Sequence, residues 1–383
     1  MVPADQLAEF RKELLGWFRQ FQRELPWRQS KDPYRIWLSE IMLQQTRVAA
    51  AIPYYERFLL QFPDIHSLAE APADEVLRLW SGLGYYSRAH NLQQAAQWIV
   101  AMHAGVFPST YADTLALPGI GAYTAAAILS IAFGAKHAVL DGNVARVVAR
   151  IGAIRGDLRQ GRRWQSLQIF ADNLLDEKAP GDWNQAMMEL GATICTPRSP
   201  QCLLCPVSRF CEARKLGAQE KIPEKRKKRA TVEITLAAAV LVDLEGQTLL
   251  LSPPGESSTK APADEVAKLV SQMWHFPTVS VKKNAQAELQ QFLSRLFPGK
   301  KSKSFRLKRL RKAKHSVTYR DITIFPFRIA LKKLPEAASG QSAVKVVPLS
   351  GVSSLAVSNL TRKVARAAEQ FHGQSLETRS DRH

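Results

Sequence analysis

From residue 7 to about residue 216 the apolar positions return every three or four residues, as in Leu7, Phe10, Leu14, Phe18 and Phe21. That is the period of one helix face, and Gly and Pro punctuate the runs, so this half reads as all-α. Residues 217–231 are polar and basic, with Pro223 followed by Lys225, Arg226, Lys227, Lys228 and Arg229, the composition of a linker. Beyond it, β-rich apolar runs predict strands over 232–242, 247–251, 315–325 and 326–331, with helices near 263–272, 285–296 and 358–371. The expected organisation is multidomain: an all-α domain over 1–216, a linker over 217–231, an α+β domain over 232–372 and a frayed tail over 373–383.

At 383 residues, with 46% apolar and 23% charged side chains, the chain has room for a sizeable core, and disordered, collagen-like and coiled-coil readings fall away. The apolar runs are far shorter than the roughly 18 residues that a membrane-spanning helix needs. The N-terminus carries Asp5, Glu9 and Glu13 at helical spacing where a secretory signal would be basic and then apolar, so an intracellular, cytoplasmic protein is expected.

Charge changes the picture more. The chain holds 53 Lys and Arg against 34 Asp and Glu, a net charge of +19, and such an excess attracts polyanions, nucleic acid first among them. It is lopsided, +3 over residues 1–216 and +16 over 217–383. Lys300, Lys301, Lys303, Arg306, Lys308, Arg309, Arg311, Lys312 and Lys314 form an acid-free run suited to phosphate contacts.

Two motifs carry chemistry. Cys195, Cys202, Cys205 and Cys211 are spaced x6, x2, x5, and four thiolates so close in sequence can wrap either Zn²⁺ or a [4Fe–4S] cluster. The segment Leu117-Pro118-Gly119-Ile120-Gly121-Ala122-Tyr123-Thr124-Ala125 reads as helix, glycine-hinged turn and helix. Its glycines let backbone N–H groups approach a phosphate without reading sequence.

Together and in this order, these motifs resemble the helix–hairpin–helix DNA glycosylase superfamily with an iron–sulfur loop, in which the cysteine spacing implies [4Fe–4S]. Glu40, in Ser39-Glu40-Ile41-Met42-Leu43-Gln44-Gln45-Thr46, stands where the endonuclease III branch has an amide. Tyr123 occupies the position of the bifunctional branch's Schiff-base lysine, and Asp141, in Leu140-Asp141-Gly142-Asn143, is common to both branches. With Pro26-Trp27-Arg28, Gly82-Leu83-Gly84-Tyr85-Tyr86-Ser87-Arg88 and Met273-Trp274-His275-Phe276-Pro277, the pattern resembles the adenine-excising branch. The resemblance implies a monofunctional glycosylase acting as a monomer on double-stranded DNA with A:8-oxoguanine or A:G mispairs.

The chemistry calls for a proton on the departing base and negative charge near the sugar cation. The resemblance gives Glu40 the acid role and Asp141 the stabilising one, with Arg28, Tyr123 and Asn143 lining the pocket. It places Gln45, Leu83 and Tyr85 on the opposite-base side and Gly119 and Gly121 on the DNA backbone. A phenol at 123 forms no Schiff base. The C-terminal half resembles a Nudix-like lesion-recognition domain without the hydrolase signature, since Asp264-Glu265 stands without its partners. The family's aromatic–hydroxyl–histidine triplet falls on Val317, Thr318 and Tyr319, so the histidine is replaced, whereas a four-residue shift puts His315 there. This departure implies altered discrimination of 8-oxoguanine from guanine. An endonuclease III-like glycosylase/lyase conflicts with Glu40 and Tyr123. A non-catalytic zinc protein that binds DNA makes the Glu40–Asp141 pairing a coincidence.

Overall fold

A computed structural model describes residues 2–224, 230–251, 273–298, 305–317, 319–335 and 344–380, the side chains of 371–380 excepted. The chain divides into two compact units: Met1–Ala71 with His90–Lys228, and Pro72–Ala89 with Arg229–His383. The segment 72–89, helical by sequence, therefore clusters with the sheet. No helix among the described residues is long and apolar enough to cross a membrane.

The first unit is helical, from α1 (Leu7–Phe21), α2 (Pro33–Leu43), α3 (Val48–Gln61) and α4 (Ile65–Glu70) onward. After α5 (Ala73–Trp80), which belongs to the second unit, it resumes at His90 within α6 (Ser87–His103) and continues with α7 (Tyr111–Ala116), α8 (Ala122–Phe133) and α9 (Gly142–Ile151). It closes with α10 (Gly161–Leu174), α11 (Pro180–Thr193) and α12 (Glu212–Lys215). Phe10, Leu14 and Phe18 of α1 point inward, as their spacing predicts, and the Phe10 ring lies 5.7 Å from Trp183 of α11 and 5.5 Å from Phe210. Each such buried side chain contributes roughly 1.5–3 kcal/mol. Residues with backbone-capping side chains start the helices that matter: Asp32 before α2, Thr110 before α7 and Asp141 before α9 all accept backbone N–H groups.

Between α7 and α8 the turn needs glycine at 119, where φ is +76° and a Cβ would sit 2.7 Å from the Asn91 side chain. Gly121 caps α8, and a Cβ there would meet open space. The first turn of α8 is thus open to an approaching ligand.

The second unit is built on a mixed sheet. Its described strands are β1 (Val232–Val242), β2 (Gln247–Leu251), β3 (Thr278–Ser280), β4 (Lys308–Arg309), β5 (Ala313–Val317), β6 (Arg320–Ala330) and β7 (Val344–Pro348). The order is β4-β6-β1-β2-β7, with β3 on β1 and β5 on β6. β1 runs parallel to β6 from Val232↔Arg320 to Val242↔Ala330. Its near-continuous apolar sequence reflects burial on both faces. Leu236, Ala238 and Val240 join Leu360 and Val364 of α14 (Asn359–Ser380), while Ala237, Ala239 and Leu241 pack with Leu289 and Leu293 of α13 (Ala285–Leu296).

The strands expected over 315–325 and 326–331 are divided differently. The break falls after Val317, at the β5–β6 turn, because β5 folds back on β6 with Val317 opposite Arg320. No break falls at Pro326: it stands where the short β4 ladder ends, its carbonyl accepts from Leu310 N at 2.9 Å, and β6 stays in register with β1 through it. α14 continues to Ser380, through residues expected to fray. The helix predicted near 263–272, the pair Asp264-Glu265, the linker residues 225–229, Lys300, Lys301 and Lys303, and Thr318 lie outside the described residues.

Candidate active site

α2 carries Glu40 into the interior, since the residues around it, from Ile36 to Met42, are buried. The side chain borders a cavity of about 210 Å³ that Arg28, Tyr123, Asp141, Asn143 and Glu189 also line. Burial pushes the Glu40 carboxyl up to about 7, with a hydrogen bond from Tyr123 and the Arg28 charge opposing the rise and Asp141 adding to it. A carboxyl of that kind holds a proton near neutrality.

Tyr123 stands on the first turn of α8. Burial, then the charges of Glu40 and Asp141, hold its phenol proton well above the ordinary range. Its hydroxyl proton has two acceptors in reach, Met188 Sδ at 3.0 Å and the Glu40 carboxylate, of which the charged oxygen is stronger. Asp141 caps α9: Oδ1 accepts from Asn143 N at 2.9 Å and Val144 N at 2.7 Å, and Oδ2 from Asn143 Nδ2 at 3.2 Å. Asn143 Oδ1 in turn accepts from both Arg146 terminal nitrogens at 3.1 Å. Arg146 continues to the backbone oxygens of Cys195 (2.9 Å) and Gly191 (2.7 Å). One hydrogen-bonded path thus joins the Asp141 carboxylate to the first cysteine of the loop.

The four cysteine side chains line one small cavity with Arg150 and Arg214. Among the described residues no group of three or more His, Cys, Asp or Glu is drawn together around a single ion. The donor set nevertheless fits a cluster. Burial first, and mutual proximity with the other three thiols, pushes Cys205 up to about 12, so the thiolates require cationic iron to coexist. Arg150 Nη1 donates to Cys195 Sγ at 3.3 Å.

Glu189 of α11 carried no sequence signal, being one acid in an amphipathic run. It is buried and receives Arg23 Nε at 2.6 Å, Arg23 Nη2 at 2.8 Å and Arg28 Nη2 at 2.8 Å. Burial alone would raise its carboxyl, but those hydrogen bonds outweigh it and hold the group below the usual range. Glu189 therefore fixes Arg28 at the cavity wall. Glu189→Ala is expected to destabilise the protein by about 3 kcal/mol, because Arg28 stays buried without its partner. Denaturant unfolding at pH 7 measures this, and a change within error would refute the role.

The remaining candidates divide between the units. Gln45 is exposed just past α2 in the left-handed region, φ +56°. Gly119 and Gly121 lie in the hairpin turn of the same unit. Leu83 and Tyr85 belong to the second unit, where Gly82, Gly84 and Tyr85 all take positive φ (+114°, +74°, +49°). Tyr319 stands in the β5–β6 turn with the Arg320 guanidinium 4.8 Å over its ring. His315 sits mid-strand, half-buried on the same face as Ala313 and Val317, which pack with α14. Burial and Lys363 lower its ring pKa.

Residues 38–170 match the HhH-GPD superfamily of base excision DNA repair proteins, and residues 195–211 match the iron–sulfur binding domain of endonuclease III. The first match thus runs through most of the helical unit and the 72–89 segment, and the second spans all four cysteines, the ligand number of a [4Fe–4S] cluster. Among curated relatives the chain is 47% identical to the adenine DNA glycosylase of Homo sapiens over 227 residues, 57% of this chain and 41% of that protein. It is 41% identical to that of Buchnera aphidicola subsp. Acyrthosiphon pisum over 221 residues, 57% of this chain and 63% of the relative. The chain spans about half the length of the curated relatives it matches. Among solved structures, a thermostable thymine-DNA glycosylase superposes with a TM-score of 0.51 at 28% identity, over 55% of this chain and 98% of its own.

Proposed function

We propose that the protein is a monofunctional DNA glycosylase that hydrolyses the N-glycosidic bond of adenine mispaired with 8-oxoguanine or guanine in duplex DNA. One observation carries this: a buried, protonatable Glu40 shares a cavity with the Asp141 carboxylate, and the third group present is a phenol where a lyase needs an amine. Glu40 donates its proton to a ring nitrogen, so that adenine departs neutral. The Asp141 carboxylate faces the electron-poor sugar left behind. Glu40, now a carboxylate, then takes a proton from the water that adds to the sugar. Adenine must be extruded from the duplex to enter so small a cavity.

The iron–sulfur cluster, held by Cys195, Cys202, Cys205 and Cys211, supplies a charged cross-link for the loop that follows α11. Neither proton transfer nor sugar stabilisation is routed through it. The second unit is read as a Nudix-like domain that meets the base opposite adenine. In it the position of Tyr319 in the β5–β6 turn supports Tyr319 as the reader, since His315 is turned toward α14. The protein acts as a monomer inside the cell.

The test is single-turnover cleavage of duplexes with A opposite 8-oxoguanine, G, C or T, with strand scission scored before and after alkali. Excision opposite 8-oxoguanine and G, with scission only after alkali, is expected. Scission without alkali would defeat the monofunctional reading, and equal rates on oxidised pyrimidines would defeat the adenine assignment.

A further inference from the structure

Within the second unit, α5 and the loop after it are tied to the sheet at two points. At the first turn of α5, Asp74 accepts from Lys345 Nζ of β7 at 2.6 Å and from Trp274 Nε1 at 3.3 Å. At its C-cap, the buried Ser81 hydroxyl donates to the Val357 carbonyl at 3.0 Å and accepts from Arg362 Nη2 of α14 at 2.7 Å. Arg362 is itself fixed by Nε to the Ser353 carbonyl at 3.2 Å.

The turn beyond Ser81 is conformationally costly. Three of its four residues take positive φ, and for Tyr85, which is not glycine, that conformation is strained. Local bonds hold the turn together: Trp80 Nε1 and Arg88 Nη2 both donate to the Gly84 carbonyl, at 3.3 and 3.1 Å. The Trp80 bond ties the turn to α5, and the Arg88 bond ties it to the start of α6. α5 has eight residues, too few to be rigid alone. On the α5 side, the direction of Leu83 and Tyr85 relative to the sheet is therefore set at Asp74 and Ser81, by Lys345, Arg362 and the Val357 carbonyl.

We infer that Asp74, Ser81 and Arg362 are positioning residues: they make the Leu83–Tyr85 loop and the β5–β6 turn parts of one body that reads the base opposite adenine. The inference rests on the proposed function for what that body reads, but the clamp itself does not. Arg362→Ala, Asp74→Ala and the milder Ser81→Ala are compared in the full-length protein with wild type and with Arg362→Lys, which keeps one donor to Ser81. Two quantities are read: amide hydrogen exchange across 82–86, and the ratio of single-turnover excision rates for A opposite 8-oxoguanine and opposite G.

In Arg362→Ala and Asp74→Ala the loop amides are expected to exchange about tenfold faster, the equivalent of losing one charge-assisted hydrogen bond, with the core amides of both units unchanged. The rate ratio falls with them, and Arg362→Lys recovers most of both. Unchanged loop exchange in all three variants overturns the clamp. A loosened loop with an unchanged ratio leaves the clamp standing and overturns the part of the proposed function that places Leu83 and Tyr85 at the opposite base. A wild type that shows no preference for 8-oxoguanine defeats that reading before any variant is made.

Discussion

Glu40→Gln is expected to slow adenine excision by about 10²–10⁴-fold, the usual worth of a positioned general acid, while binding of the mispaired duplex stays close to wild type. Gln is isosteric and keeps the contact with the Tyr123 hydroxyl, so the loss is that of a transferable proton. Because burial raises the carboxyl to about 7, the wild-type rate should hold below that pH and fall by about tenfold per unit well above it, as the acid form is depleted. The variant's residual rate should lack this limb. Stability moves the opposite way from the ordinary acidic residue. Here the folded state binds the proton more tightly than the unfolded chain, so the Glu40 contribution is most favourable below the unfolded value near 4.5 and is lost as pH rises through about 7. Above that, an ionised Glu40 costs about 3 kcal/mol relative to its unfolded self, and Glu40→Gln should melt no lower than wild type at pH 8. Single-turnover kinetics and thermal unfolding across pH check both halves. A variant that is inactive because it melts lower, or one that turns over normally, would sink the assignment.

What the sequence made legible follows from the range over which each residue acts. Glu40, Tyr123 and Asp141 are legible because each sits in a short local motif and the motifs together match the family's; singly, Glu40 reads as a helix glutamate and Asp141 as a turn or cap residue. The cysteine loop is local for the same reason: four ligands within 17 residues close on one object. Glu189 stayed invisible because its meaning lies in Arg23 and Arg28, more than 160 residues away, and along α11 an inward acid has the same spacing as an inward leucine. The grouping of 72–89 with the sheet was invisible likewise. Its partners Trp274, Lys345, Val357 and Arg362 lie 200 to more than 270 residues on, and α5 is an unexceptional amphipathic helix by pattern. The β5–β6 turn was missed because Val317 and Tyr319 both favour strands, and pairing back onto β6 decides the matter.

The net charge of +16 in the C-terminal segment suits contact with DNA phosphates, but in the proposed reaction the sugar cation is steadied by one negative charge in the balanced half. Asp141→Asn isolates that charge. Asn caps a helix as well as Asp does, so the amide oxygen can keep the bonds from Asn143 N and Val144 N that start α9, and the fold should lose little. What disappears is the negative charge facing the sugar, in a cavity where Coulombic effects are far stronger than in water. A loss of about 10²–10³-fold in the excision step is expected, with a melting temperature close to wild type. Asp141→Ala supplies the contrast: it loses the charge and the cap together, so it should show a similar rate loss plus about 1 kcal/mol of destabilisation. If Asp141→Asn excised adenine as fast as wild type, Asp141 would be a helix cap and nothing more, and Glu40 would have to act without a carboxylate to steady the cation it creates.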